Sequence, residues 1–258
     1  MLFHKSNDVF NFNAQITCAG NDIEQVYSFK YLGVILDPNL SFKNHYLYVK
    51  KRVSSSIGAI NHLKRFLPFN VFCVFLKAFV LTIIDYCLPI WGVRPETEFQ
   101  SLQSKINNVI LNFSEPPKWV KKIKAKPITE CCILEKANIL SVTERIKYYI
   151  TKITFKTLNI KHSISNNIIV PHVKYNVNMF SMRKKSVTRA GKKRLLDKNY
   201  KWKSCTFEKS FKHRAIDTWN SLPENLHDET LSFMKFNKLL YKYFLSQRNA
   251  VNAIFNPP

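Results

Sequence analysis

From Ser41 to about Phe66 the apolar residues Phe42, Tyr46, Val49, Val53, Ile57, Ile60 and Leu63 recur at steps of three and four, and no acidic residue falls between Asp37 and Asp85. The spacing predicts a long amphipathic helix with one apolar stripe. Lys43, Lys50, Lys51, Lys64 and Arg65 are expected on an adjoining face. A solvated helix face ordinarily mixes both signs, so charge of one sign over the whole span points to contact with backbone phosphate. Just upstream, Tyr31 to Leu36 is a continuous apolar run, expected as a strand buried on both faces. Asp37-Pro38-Asn39 closes it, because Pro removes a ladder donor and Asn favours a turn or a helix cap. The fold must therefore launch a basic helix directly from a strand.

The rest of the chain is read against that junction. Asn13 to Thr17 and Ile23 to Tyr27 alternate around Gly20-Asn21-Asp22 and predict a hairpin. Pro68 ends the long helix, and Asn70 is placed to cap the next, which carries Val71, Val74, Phe75, Ala78, Phe79, Thr82 and Ile83 at helical spacing. Asp85-Tyr86 interrupts that run, and Trp91-Gly92 closes it, giving an αα-hairpin. Further helical patterns cover Glu98 to Phe113, Glu135 to Leu158, Phe207 to Trp219 and about Ser232 to Ser246. From Asn159 to Trp202 no stable period holds. The expected fold class is α+β, mostly α: a small antiparallel amino-terminal sheet (1–38), a helical bundle (39–115), a basic connector with one helix (116–206) and a carboxyl-terminal helical segment (207–258).

Composition bounds the partner. Lys and Arg number 40 against 17 acids, a formal net charge of +23. Such an excess destabilises a compact fold by self-repulsion unless a polyanion is near. Nucleic acid is favoured over an anionic membrane surface, because the basic residues are interleaved with aromatics that can stack on bases. Arg183 to Lys203 alone holds ten basic residues against Asp197. It reads either as a loop that orders on RNA or DNA or as a nuclear-targeting or disordered basic tract. The most apolar segment, Phe66 to Trp91, is interrupted by Pro68, Asn70, Lys77, Asp85 and Pro89, so no membrane span is expected. Met1-Leu2-Phe3-His4-Lys5 lacks the charged lead and apolar stretch of a secretory signal. The six cysteines form no C-x-x-C pair, and no His pair has zinc spacing.

Catalytic patterns are missing. The five glycines make neither G-x-G-x-x-G nor a P-loop. A nucleotidyl-transfer centre needs carboxylates holding two divalent ions about 4 Å apart. The seven aspartates (8, 22, 37, 85, 197, 217 and 228) include no adjacent pair, and only Asp22 sits by a predicted turn. No serine lies in a nucleophile-elbow context. His213 and Asp217, four apart, read as a surface ion pair on a helix.

Several segments carry a family resemblance. Lys30-Tyr31-Leu32-Gly33-Val34, preceded by Ile23-Glu24-Gln25-Val26, resembles the hairpin that holds the growing strand's 3′ end in a non-LTR (LINE, jockey-like) retrotransposon reverse transcriptase. Leu40-Ser41-Phe42-Lys43-Asn44-His45 resembles the start of the thumb, and Tyr86 with Trp91-Gly92 a recurrent Tyr…Trp-Gly feature of its helices, for which packing is the inferred role. Trp219-Asn220-Ser221-Leu222-Pro223, then Ser232-Phe233-Met234-Lys235, is similar to the carboxyl end of these polyproteins. No Cys/His knuckle of the kind some relatives carry is seen there. The resemblance implies a palm remnant, thumb and tail that bind an RNA–DNA duplex without polymerising, because the aromatic-x-Asp-Asp turn and its Mg²⁺ ions belong to a palm this chain lacks. It places Tyr31 and Gly33 at the primer, Lys43, Lys50, Lys51 and Arg52 along the duplex, and Arg183, Lys184, Lys185, Lys192, Lys193 and Arg194 on flanking nucleic acid. Gly33 would let backbone approach backbone closely. Neither a cofactor held by this chain nor a small-molecule substrate is expected. Two alternatives stay open: a host-retained helical protein-interaction module, and a decayed element copy without function.

Overall fold

The computed structural model describes residues 17–63, 66–114, 134–164, 196, 210–228 and 230–255. Two compact units divide the chain, Met1–Ser114 and Glu115–Pro258. Among the described residues the fold is mostly helical, with short antiparallel strand pairs near the amino terminus. The fold is thus α+β, mostly α.

In the first unit, β1 (Thr17–Cys18) and β2 (Asn21–Asp22) form one hairpin, β3 (Phe29–Tyr31) and β4 (Val34–Leu36) another. Each turns through two residues with positive φ, Ala19 and Gly20 in the first, Leu32 (+44°) and Gly33 (+82°) in the second. Positive φ at both positions is the two-residue turn whose twist matches the flanking strands. Two expectations are corrected here. The continuous buried strand from Tyr31 to Leu36 is two strands, with Tyr31 opposite Val34. Tyr31 is exposed while Val34 is buried. An apolar Leu in the turn hid it. Ile23 to Tyr27 adds no strand, since the first hairpin closes earlier, around Ala19-Gly20.

The launch of α1 (Lys43–Leu63) rests on Asp37. Its carboxylate accepts the N–H groups of Ser41 (2.8 Å) and Phe42 (2.7 Å), and Ser41 Oγ accepts the Lys43 N–H. These bonds satisfy donors at the helix entry that have no intrahelical partner. The next rod is composite: α2 (Phe69–Phe75), a π-helical stretch (Leu76–Leu81) and α3 (Thr82–Asp85). It packs on α1 through its π-helical stretch and α3, and its buried face is Phe72, Leu76, Val80, Leu81 and Ile84. The helically spaced residues read from the sequence are thus not the ones the rod buries. Val74 (62%) and Phe79 (55%) are well exposed, as are Val71, Ala78 and Thr82. Both faces of this rod are apolar, so periodicity could not choose between them, and a π turn rotates everything beyond it. Nor does Asn70 cap it; Pro68, in extended backbone, precedes the first turn.

Tyr86 breaks the rod in extended conformation, Cys87 follows at φ +51°, and α4 (Leu88–Trp91) and α5 (Glu96–Ser114) complete the unit. Trp91 is fully buried between His45 (5.6 Å, edge-on) and Phe99 (5.8 Å), and Phe72 stacks on Phe113 at 4.3 Å.

In the second unit, α6 (Val142–Ile164) packs against α7 (Phe211–Asn220) and α8 (Phe233–Phe255), with a 3₁₀ turn (Glu224–Leu226) between the last two. Phe155 of α6 stacks on Phe236 of α8 at 3.8 Å. The expected helix start at Glu135 is corrected to Val142. Asn138 takes a positive φ, and Ser141 with Glu144 forms a reciprocal cap: Glu144 Oε2 accepts the Ser141 N–H (2.8 Å) and Ser141 Oγ the Glu144 N–H (3.3 Å). Asn220 holds the Leu196 backbone at two points, donating to its carbonyl (3.0 Å) and accepting its N–H (2.8 Å). His213 and Asp217 form the surface pair expected of them, at 3.2 Å.

Candidate nucleic-acid interface

Three contacts fix the β3–β4 hairpin beside α1. The Tyr86 hydroxyl donates to the Leu32 carbonyl. A Cβ on Gly33 would stand 3.2 Å from the Tyr86 ring, so only glycine lets the turn lie on that ring. The Ile35 N–H donates to Nδ1 of buried His45 at 3.3 Å. Tyr86 is in turn positioned by Trp91, whose indole N–H donates to the Tyr86 carbonyl (2.9 Å) that the broken helix leaves unpaired. The Tyr86 and Trp91 pair thus packs the hairpin against the helices.

This arrangement leaves an open cleft of about 360 Å³ whose lining includes Lys30, Gly33, His45, Tyr48, Arg52 and Tyr86. His45, Tyr48, Val49 and Arg52 lie at i, i+3, i+4 and i+7 and form one stripe of α1 facing the cleft. Lys30 Nζ stands 5.1 Å from the centroid of the Tyr48 ring and Arg52 Cζ 5.7 Å from it. Burial acts to raise the Tyr48 phenol, but the charges of Lys30 and Arg52, with their hydrogen bonds to it, outweigh burial and lower its pKa. His45 is held below its ordinary value of 6.5 by burial and by Lys30. Its Nε2 has no hydrogen-bond partner. Among the described residues no carboxylate lines the cleft. Two cations therefore converge on one ring with no described group of opposite sign beside them, an arrangement whose field favours an anion.

The structure separates the residues proposed from sequence. Gly33 and Arg52 line the cleft. Tyr31, on β3, is 58% exposed, and it is not among the lining residues. Lys43 and Lys50, seven apart, occupy the other flank of α1, toward α5. There Arg94, through a paired hydrogen bond, and then the charges of Lys43 and Lys50 hold the Glu98 carboxyl below its usual range. Lys51 is exposed and outside the cleft. Of the cations expected on one face of α1, Lys43 and Lys50 do share a flank, while Lys64 and Arg65 lie outside the described residues; Arg52, which that expectation did not include, meets the hairpin. Arg183, Lys184, Lys185, Lys192, Lys193 and Arg194 lie outside the described residues.

Sequence reasoning missed Lys30, Tyr48, His45 and Tyr86 as cleft residues. The i, i+3, i+7 spacing of His45, Tyr48 and Arg52 was a legible signal. The reach of Lys30 across the strand was not, because it depends on the hairpin turn.

Asp37, next to β4, is committed to backbone N–H groups. Among the described residues no three His, Cys, Asp or Glu side chains gather as a metal ion needs. Nor, among them, is any helix long and apolar enough to cross a membrane. Set against protein-family models, curated proteins and solved structures, the chain matches none of them.

Proposed function

We propose that the chain is the palm-end, thumb and tail part of a non-LTR retrotransposon reverse transcriptase, which binds an RNA–DNA duplex through its phosphates and does not itself polymerise. The observation that carries this reading is the cleft in which Lys30 and Arg52 converge on Tyr48 with no carboxylate among its described lining residues, beside the hairpin that resembles the segment holding a primer. In the proposed complex a backbone phosphate sits between the Lys30 ammonium and the Arg52 guanidinium, whose planar fork suits phosphate oxygens. The Tyr48 and Tyr86 hydroxyls line the same space, and Tyr48 offers an aromatic face to an adjacent base.

Gel-shift titration of a labelled RNA–DNA duplex tests the reading. The double reversal Lys30→Glu and Arg52→Glu should weaken binding at least tenfold, whereas Lys43→Glu with Lys50→Glu should weaken it less, because those lysines already face Glu98. Equal losses from the two pairs, or no binding by the unaltered chain at low salt, sink the proposal. With primer, template and Mg²⁺ the purified chain should not lengthen the primer; measurable extension refutes the claim that the chemistry lies elsewhere.

A further inference from the structure

The outward face of the Phe69–Asp85 rod is unaccounted for by the cleft. Val71, Val74, Phe75, Ala78 and Phe79 form a helical stripe there, with Val74 at 62% and Phe79 at 55% exposure. Phe75 and Phe79 are stacked on one another at 5.6 Å, so the two rings present one preformed aromatic surface. The π-helical stretch Leu76–Leu81 carries the carboxyl-terminal end of the stripe, Ala78 and Phe79. Such turns are rare and concentrate at functional positions. Here the stretch keeps Val80, Leu81 and Ile84 buried against α1 while Phe79 stays outside next to Phe75.

We infer that this face docks an acidic amphipathic helix of a partner protein. A convex apolar stripe spaced by three and four is the complement of another helix's stripe, and the small Ala78 at its centre permits close approach. Charge decides which helix. The segment from Pro38 to Ile84 contains no acid, Lys77 sits on the rod itself, and the chain carries +23 overall. A second copy of this chain would bring the same excess against itself, whereas a helix with Glu and Asp flanking its apolar stripe neutralises it.

The test uses the full chain and three synthetic 21-residue helices. One has Leu at the two core positions of each heptad and Glu at the flanking positions; the second keeps Leu and replaces Glu by Lys; the third keeps Glu and replaces Leu by Ser. Fluorescence anisotropy should show saturable one-to-one binding of the first, with the second and third at least tenfold weaker. The double variant Val74→Ser and Phe79→Ser, which leaves charge unchanged, should lose at least tenfold for the first helix and keep its affinity for an RNA–DNA duplex. Since both side chains are exposed, an unaltered circular dichroism spectrum is expected and certifies the variant as folded. Equal binding of the first and third helices overturns the inference, because the basic surface alone would then explain it. Self-association lost in the double variant, or loss of nucleic-acid binding in that variant, overturns it in favour of a homodimer face or a base-stacking face.

Discussion

Leu32 and Gly33 show how much a single turn decides. Leu32 is held at φ +44° although it is 73% exposed and its side chain has little to pack on. A left-handed conformation costs an ordinary L-residue about 1–2 kcal/mol, and Asn tolerates it far better. Leu32→Asn should therefore raise stability by about 0.5–1 kcal/mol, read as a higher urea midpoint with unchanged slope, and the Tyr86 bond to the residue's carbonyl should survive. Gly33→Ala has the opposite sign. It adds both the left-handed penalty and a Cβ against the Tyr86 ring, so a loss of about 1–2 kcal/mol is expected, together with weaker duplex binding. His45 supplies a pH dependence. Its value in the fold is depressed below 6.5 by burial, then by Lys30. Below pH 6.5 the unfolded chain thus binds the proton more readily than the folded one, and folding stability, complete above 6.5, declines as pH falls toward the depressed value. In urea titrations across that window His45→Gln should flatten the decline; an equal decline in the variant would remove His45 as its source.

At the scale of elements, the long helix α1 was legible from its apolar steps, and the first turn of the chain from Gly20. What the pattern could not supply was facing. On α1 Lys43 and Lys50 share a flank beside Glu98, as the pattern suggests, but the pattern could not say that Arg52 would face the hairpin. On the Phe69–Asp85 rod a helix apolar on both sides gave no reason to bury Phe72 rather than Val74 until α1 and α5 were in place. Phe72→Ala should accordingly cost about 3–5 kcal/mol, with Val74→Ala within about 0.5 kcal/mol of neutral, by thermal or denaturant unfolding. The start of α6 was legible and was misjudged. Ser141-Val142-Thr143-Glu144 carries the spacing of a reciprocal cap, which the structure forms, and Ser141→Ala should lower stability by about 1 kcal/mol. Trp219-Asn220 of the closing motif gained its physical role only from the fold, where Trp219 is buried and Asn220 pins Leu196 across 24 residues.

For the molecule as a whole, charge is the organising fact. A net +23 on 258 residues repels itself, and the cleft concentrates that repulsion at Lys30 and Arg52, with no carboxylate among its described lining residues to relieve it. A polyanion seated there releases counterions, so affinity must fall with salt in proportion to the phosphates neutralised. The account is tested most directly by the slope of log association constant against log salt for an RNA–DNA duplex, measured on the unaltered chain and on the Lys30→Glu, Arg52→Glu double variant. It predicts a steep fall for the unaltered chain and a slope shallower by about one in the variant, for the one phosphate that the two cations share. A slope that is flat in the first, or identical in both, would contradict it.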